Sequence, residues 1–525
     1  MAPKSIRSWM LIILPFAIVL AYVLIASYKL RYPGSQYDES LYLNAALGGV
    51  DSTTFITKSF HGIPVLLMPY IGALKAFIFF PIFKLFGVSP MTMRLPDIFL
   101  TGAALYILFR LLINQVGRFL SLSILAITAL DASFIMFTRL DNGPVVLDFL
   151  LKVISLFVLL RFAKEPKTYL ALLFWLTIIL GEYNKLNFIW YANASAIAFI
   201  VIYGRGAWRT QNPLVRKKTI FLSAACYFLC VGYYLYTSRT YHLATSFGFV
   251  GWHQLYSRLS TIVNGSWFYN YSLSQNRIGS SVIFWVVLAV ILVGVISILW
   301  LNRKNQPSSN FVRFYKFVAL YLLLILLQLS FTKSATAGWH YFSIYPFLGT
   351  LLVLSLNEIV KVLNPKKVRL ADIMLTLSVS FLCIYQINVY RQYTKLYGST
   401  PSNKYWSTAI YKLVDYTKTK NSPIVSLDWG TQTVLIGFDH TPNKYYEVFG
   451  PISVNNAPQN SLDFQRYIAT KPGAYYVTHP KNQEIFPEVT KDFFVLAKSH
   501  GYQQYKVATI KDDSTPVFEI YQLKQ

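Results

Sequence analysis

The 525 residues are 54% hydrophobic and only 13% charged, with a mean hydropathy of +0.43. That balance excludes an ordinary soluble enzyme, because several stretches reach the roughly 20 mostly apolar residues that a bilayer span needs. A net charge of +26 in so apolar a chain points to cytoplasmic loops and anionic membrane lipid, not to nucleic acid.

The first segment, "SWMLIILPFAIVLAYVLIASY" (8–28), is too long for a signal-peptide core and lacks a small-residue cleavage site. It reads as a signal-anchor helix. "RYPGSQYDESLYLNAALGG" (31–49) follows at once and carries the adjacent carboxylates Asp38 and Glu39. The next stretch, 61–90, is apolar enough to resemble a span. Yet it holds Pro64, Pro69 and Pro81, which each remove a backbone donor, and Lys75 and Lys84, costly at mid-bilayer. Counting it as a span would reverse every later loop. It is therefore expected to form juxtamembrane or re-entrant helices along the outer face.

Ten further spans are expected near 95–113, 119–137, 145–162, 168–182, 187–203, 219–237, 280–301, 315–332, 341–357 and 371–390. Lys4 and Arg7, Arg118, Lys164 and Lys167, the dense run Arg205, Arg209, Arg216, Lys217 and Lys218, then Arg303, Lys304 and Arg313, and finally Lys361, Lys366, Lys367 and Arg369 fall at every second loop. By the positive-inside rule this puts the N-terminus in the cytoplasm and the C-terminus outside. The outer regions are then about 30–93, 138–144 and 238–279. The last of these mixes aromatics with His253 and Arg258, as an interfacial segment does, and holds the glycosylation-type triplets at Asn264 and Asn270.

Beyond residue 391 the composition is that of a soluble domain. "NKYWSTAIYKLVDYTKT" and "FPEVTKDFFVLAKSH" read as helices; "PIVSLDW", "GAYYVTHP" and "VFEIYQL" read as strands. The expected architecture is an α-helical polytopic membrane domain of about eleven spans over 1–390, with a large first external loop, and a small external α/β domain over 391–525. Cys226, Cys230 and Cys383 all lie in apolar segments and read as small buried hydrophobes.

On this topology Asp38, Glu39 and Asp141 share the outer face with His61, Arg94, Arg139, Lys185 and His340. A carboxylate there can take a proton from an acceptor hydroxyl or amine. Cations there can bind a lipid-linked phosphate and stabilise it as it leaves. "YDE", "HGIPVLLMPYIGALKAF", "KLFGVSPMTMRLP", "RLDNGP" and "GWHYFSIYP" occur in that order. With them the chain resembles the glycosyltransferase-C superfamily, and within it the protein O-mannosyltransferases and lipid A aminoarabinose transferases. The match covers roughly 1–190 and continues more loosely to about 357.

The resemblance implies a polyprenyl-phosphate sugar donor and an inverting transfer. It implies that Asp38 is the base of the first loop and Asp141 the acid of the second. It places His61, Lys185 and His340 among the substrate-binding residues, and the shared outer face adds Glu39, Arg94 and Arg139 to them as candidates. The chain has His-Gly-Ile-Pro where many members have Lys-Pro-Pro, and its "GEYNK" around Lys185 is looser than the usual pattern. Each assignment has a plainer rival. Asp38 can be a solvated loop acid, Glu39 a helix-start charge, and Asp141 a structural partner of Arg139. Arg94 can be an interfacial anchor, Lys185 a snorkelling side chain, and His340 an ordinary interfacial histidine. No set of metal ligands stands out, and metal dependence stays open. A protein, a glycolipid or an envelope polysaccharide all suit as acceptor. A transporter or flippase, and a non-catalytic scaffold with an external binding domain, are the alternatives to an enzyme.

Overall fold

The computed structural model describes residues 4–47, 56–209, 211–241, 248–273, 279–304, 310–333, 337–363, 368–397, 406–448 and 471–525. The side chains of Lys4, Arg7, Asn270, Arg303 and Lys304, and all of Lys366 and Lys367, lie outside what is described.

Helices form at all eleven expected span positions. They are α1 (Lys4–Ser27), α4 (Pro90–Val116), α5 (Arg118–Ala129) with α6 (Ala132–Leu140), α7 (Val145–Lys164), α8 (Thr168–Asn184) and α9 (Phe188–Phe199). Then come α11 (Pro213–Thr240), α14 (Ser281–Lys304), α15 (Asn310–Ser330), α16 (Gly338–Tyr341) with α17 (Phe347–Leu363), and α18 (Val368–Leu396). Among the described residues, six helical stretches are long and apolar enough to cross a membrane, and eight if the two bent pairs, α5–α6 at 62° and α16–α17 at 44°, each count as one span. The other three are α1, whose described apolar part is Ile13–Ser27, the 17-residue α8, and α7, which carries Asp148 and Lys152. The α5–α6 bend has a local cause. Asp131 caps α6, accepting from the Phe134 N–H at 2.7 Å, so the chain restarts a helix there. After α9 the chain passes through a π-helical turn, Ile200–Gly204, into α10 (Arg205–Arg209).

The segment after α1 is built differently from the expectation of helices throughout. α2 (Tyr37–Ala46) starts at a capping box made by Gln36 and Glu39. An antiparallel meander then follows: β1 (Lys58–Phe60), β2 (Ile63–Met68) and β3 (Ile71–Gly72). Only from Leu74 does the chain become helical, as α3 (Leu74–Phe86). The β1–β2 turn is His61-Gly62 with φ of 48° and 79°, the double left-handed geometry of a type I′ hairpin. The segment between α11 and α14, the third of the regions expected outside, carries two short helices among the described residues, α12 (Trp252–Val263) and α13 (Trp267–Leu273). Asn264, between them, is fully buried. It accepts from the Ser266 N–H and hydroxyl, so that triplet is a turn motif rather than an exposed acceptor. All three cysteines are free thiols.

The C-terminal elements are α19 (Ala409–Lys418), β4 (Ile424–Ser426), α20 (Thr431–Asp439), β5 (Tyr445–Glu447), β6 (Tyr475–Thr478), α21 (Pro487–Ser499), β7 (Gln503–Asp512) and β8 (Thr515–Lys524). The strands form one mixed sheet in the order β5-β4-β6-β8-β7. β5, β7 and α20 were absent from the sequence reading. β5 has three residues, and β7 alternates too weakly, with its first five residues all exposed. This domain sits directly on the first loop. The Asn44 side chain donates to the Thr433 carbonyl at 2.9 Å, the Tyr37 and Trp429 rings lie 4.6 Å apart, and Gly34 packs so tightly that a Cβ would lie 2.0 Å from the Ser407 carbonyl oxygen.

Candidate active site at the first loop

Two of the acids and two of the cations expected to share a face are consumed by architecture. Glu39 and Arg94 form a bidentate pair, Nε to Oε1 at 2.7 Å and Nη2 to Oε2 at 2.8 Å, with both side chains buried. The remaining Arg94 donor reaches the Leu30 and Pro33 carbonyls. Arg139 donates to the carbonyls of Tyr28, Lys29 and Tyr32 and to the Tyr390 hydroxyl. These two arginines clamp the chain between α1 and α2. A planar guanidinium with five fixed donors suits that task. Arg139 does not pair with Asp141, contrary to the structural rival considered for that acid.

Asp141 pairs instead with Lys75 at 2.5 Å, and Lys75 also bridges Asp97 at 2.8 Å. The other Asp141 oxygen accepts from the Val146 N–H at 2.7 Å, so this residue closes α6 in the left-handed region and caps α7. Two buried carboxylates thus share one ammonium, which also lies 5.0 Å from the Tyr42 ring centroid and 4.9 Å from that of Phe79. His61 is elsewhere. It occupies the exposed hairpin tip, edge-on to Phe60, and is not among the partners of this group.

Asp38 stands at the first turn of α2, half-buried. Burial, then the neighbouring Glu39 and Asp141 charges, push its carboxyl up to about 6, while Lys185 opposes the rise. Lys185 ends α8. It is 1% exposed, and its ammonium makes one hydrogen bond, 2.7 Å to the Gly143 carbonyl. No carboxylate lies within ion-pair distance of it among the described residues. Burial brings its pKa down to about 8, against the pull of Asp148, Asp38 and Asp141. The meander fixes its backbone: Ile71 and Lys185 form a β-bridge, the Leu186 N–H donates to the Tyr70 carbonyl at 3.0 Å, and the Tyr183 hydroxyl donates to the Val65 carbonyl at 3.0 Å. Gly72 allows this approach, since a Cβ there would lie 2.1 Å from the Tyr183 carbonyl oxygen.

Around Lys185 several buried polar atoms lack partners: both amide atoms of Asn142, Asn184 Oδ1, Asn187 Oδ1, His340 Nδ1 and Trp267 Nε1. Unsatisfied buried polar atoms are costly, and a group of them marks a place shaped for a polar occupant. An aromatic wall borders it. His340 lies 6.1 Å from Trp190 and 6.0 Å from Trp339, and Arg258 of α12 sits 5.0 Å from the Trp267 ring centroid. Gly143 has φ of 81°, and a Cβ there would collide with both Lys185 Nζ and the Trp339 ring. On the soluble side, Asp428 accepts from the Ile485 and Phe486 N–H groups and contacts His479 Nδ1 at 2.8 Å. Burial works against its charge, yet these bonds hold its carboxyl below the usual range. No group of three His, Cys, Asp or Glu side chains able to hold a metal occurs among the described residues.

Sequence reasoning missed Lys75, Asp97 and Arg258 as members of this site. Lys75 carried a usable signal, because a charge inside an apolar run is a functional candidate by default.

No family model matches the chain, and no curated protein matches it. Solved structures match end to end. ArnT from Cupriavidus metallidurans in the apo state aligns with a TM-score of 0.54 at 13% identity over 98% of both chains, and the same protein bound to undecaprenyl phosphate aligns at 0.53 and 12% over 97% of both. The Archaeoglobus fulgidus oligosaccharyltransferase tethered to an acceptor peptide aligns at 0.53 and 10%, over 97% of this chain and 75% of that one. The arabinofuranosyltransferase AftD from Mycobacteria aligns at 0.50 and 13%, over 98% of this chain but 40% of that one. At such identities the likeness is one of fold. The chain is a multi-pass membrane protein with the glycosyltransferase-C fold.

Proposed function

We propose that this protein is an integral membrane glycosyltransferase that moves a sugar from a polyprenyl-phosphate carrier to an acceptor on the face opposite the basic loops. The observation that carries the reading is Lys185: a buried ammonium with one hydrogen bond, set beside a half-buried carboxylate, Asp38, and ringed by unpartnered polar atoms. A buried cation is stable only when paired or hydrogen-bonded. A lipid phosphate supplies the missing partner. The fold supports the choice, since two of the similar structures, ArnT and the archaeal oligosaccharyltransferase, were solved with undecaprenyl phosphate and with a dolichol-phosphate.

In this reading the phosphate rests on Lys185 and Arg258, with its lipid tail in the bilayer. Asp38 accepts the proton of the acceptor hydroxyl or amine as that group attacks the anomeric carbon. The carbon–oxygen bond to phosphate breaks, and its electrons go to the phosphate. Lys185 stabilises the charge that grows there. Attack opposite the leaving group inverts the anomeric centre. Asp141, fixed by Lys75 and by the Val146 N–H, acts through position and field, holding the loop that presents Asn142 and Gly143. His340 and the tryptophans shape the sugar site.

The test is transfer by purified protein in lipid, with a panel of labelled polyprenyl-phosphate sugars and a membrane extract as acceptor. Wild type transfers label and folded Asp38→Asn does not. Equal transfer by both would remove Asp38 as the base.

A further inference from the structure

The other end of the bundle has its own feature. Between α7, α8, α9 and α11 lies a cavity of about 460 Å³, within the roughly 300–1,000 Å³ range of small-molecule sites. Its walls are mostly apolar, with Leu159, Phe162, Trp175, Ile197, Trp208 and Tyr227 among them. Two features mark it. Ile200, on the wall, begins the π-helical turn, a rare geometry often found at functional sites. α11 covers it from the outer side of the bundle, with only 11% of its most apolar stretch buried.

Cations cluster at this end of the helices: α7 ends with Arg161 and Lys164, α10 holds Arg205 and Arg209, and α11 opens with Arg216, Lys217 and Lys218. Residues 161–168 and 205–218 hold eight Lys and Arg against one acid, Glu165, which is already bridged to Lys167 at 3.1 Å. The two stretches are drawn together. The Gln211 amide donates to the Pro166 carbonyl, and the Thr168 and Thr219 hydroxyls lie 2.8 Å apart. Arg161, Lys164, Arg205, Arg209 and Lys217 are all exposed. An apolar cavity beside a cluster of exposed cations has the two-part chemistry of an anionic lipid. Its mouth is far from Asp38, because the 20-residue α7 alone spans about 30 Å at 1.5 Å per residue.

We propose that this cavity binds one anionic phospholipid from the leaflet on the basic-loop side, an acyl chain filling the apolar walls and the phosphate resting on the rim cations. The assignment is independent of the transfer reaction. The test is native mass spectrometry of the full chain in detergent, titrated with phosphatidylglycerol or phosphatidylcholine of the same acyl chains. The expected result is one tightly retained phosphatidylglycerol, held about 30-fold more strongly than phosphatidylcholine, as two cations at about 1 kcal/mol each provide. Arg205→Gln and Lys217→Gln each weaken retention about fivefold. Both side chains are exposed, so the variants fold. Ala224→Phe, which fills the cavity, abolishes retention of either lipid. Equal retention of the two lipids, or no loss on neutralising the rim, overturns the proposal. Displacement of phosphatidylglycerol from this site by polyprenyl phosphate overturns the choice of occupant.

Discussion

One helix, α8, carries a lysine just outside each end, and the two could hardly differ more. Lys167 is exposed and bridges Glu165 in solvent, an arrangement worth about 0–1 kcal/mol. Lys185 is buried, makes a single hydrogen bond, and sits among acids that do not touch it. At one end, charge stays in solvent and pairs at the surface. At the other, the same residue type has lost its water without gaining a full set of partners, and that deficit is what a substrate phosphate can fill. A second contrast lies within the site end. Arg94 and Glu39 satisfy each other, whereas Asp38 and Lys185 are neighbours that do not pair. The first couple holds structure, and the second is the one to which the proposed reaction assigns its chemistry.

The most severe test of this contrast is Asp38→Asn. Loss of a positioned base is expected to lower sugar transfer by about 10²–10⁴-fold with the thermal unfolding midpoint unchanged; an unchanged rate would erase the distinction between the open couple and the closed one. Arg94→Met is expected to do the reverse. Leaving Glu39 buried and unpaired costs about 3–5 kcal/mol of stability, read as a lowered unfolding midpoint. Lys185→Gln removes a charged contact worth about 1.5–3 kcal/mol, so kcat/KM is expected to fall roughly 10–150-fold, with a folded protein. The pH profile follows from the same two groups. With Asp38 pushed up to about 6 and Lys185 brought down to about 8, kcat/KM of the wild type should rise as Asp38 ionises near pH 6. It should fall as Lys185 loses its proton near pH 8. Lys185→Arg stays charged, so its alkaline limb should move upward; a profile flat from pH 5 to 9 would remove both groups from the reaction. The smallest effect belongs to the far end of α8, where Lys167→Gln is expected to leave transfer within twofold and stability within about 1 kcal/mol.

Much of the membrane architecture was legible, because span length and apolarity act on every residue of a helix at once. Even α7 was legible, although Asp148 and Lys152 interrupt it. The meander was not. Its apolar run of 63–68 reads alike as strand or helix by periodicity, and the deciding signal was the local His61-Gly62 turn. The gathering of Asp38, Asp141, Lys185 and His340 at one end followed from topology, but their partners did not. Arg94 and Arg139 looked like phosphate ligands because a sequence cannot show that Glu39 and a row of carbonyls already occupy them. Lys75 was weighed as a membrane cost, yet it holds Asp97 and Asp141 together across segments 22 and 66 residues apart. Pairings over such distances are decided by packing, and no local pattern encodes them.

The stitching of the meander to the end of α8 has a consequence for anyone recombining this protein. Because Tyr70, Ile71 and Gly72 are bonded or pressed against Tyr183, Lys185 and Leu186, the two stretches behave as a single interchangeable part. A chimera that imports a foreign first loop without residues 181–188 inherits a misplaced ammonium, whereas one that carries both pieces across keeps the Lys185 ammonium in place. Loop grafting here is a matter of matched halves.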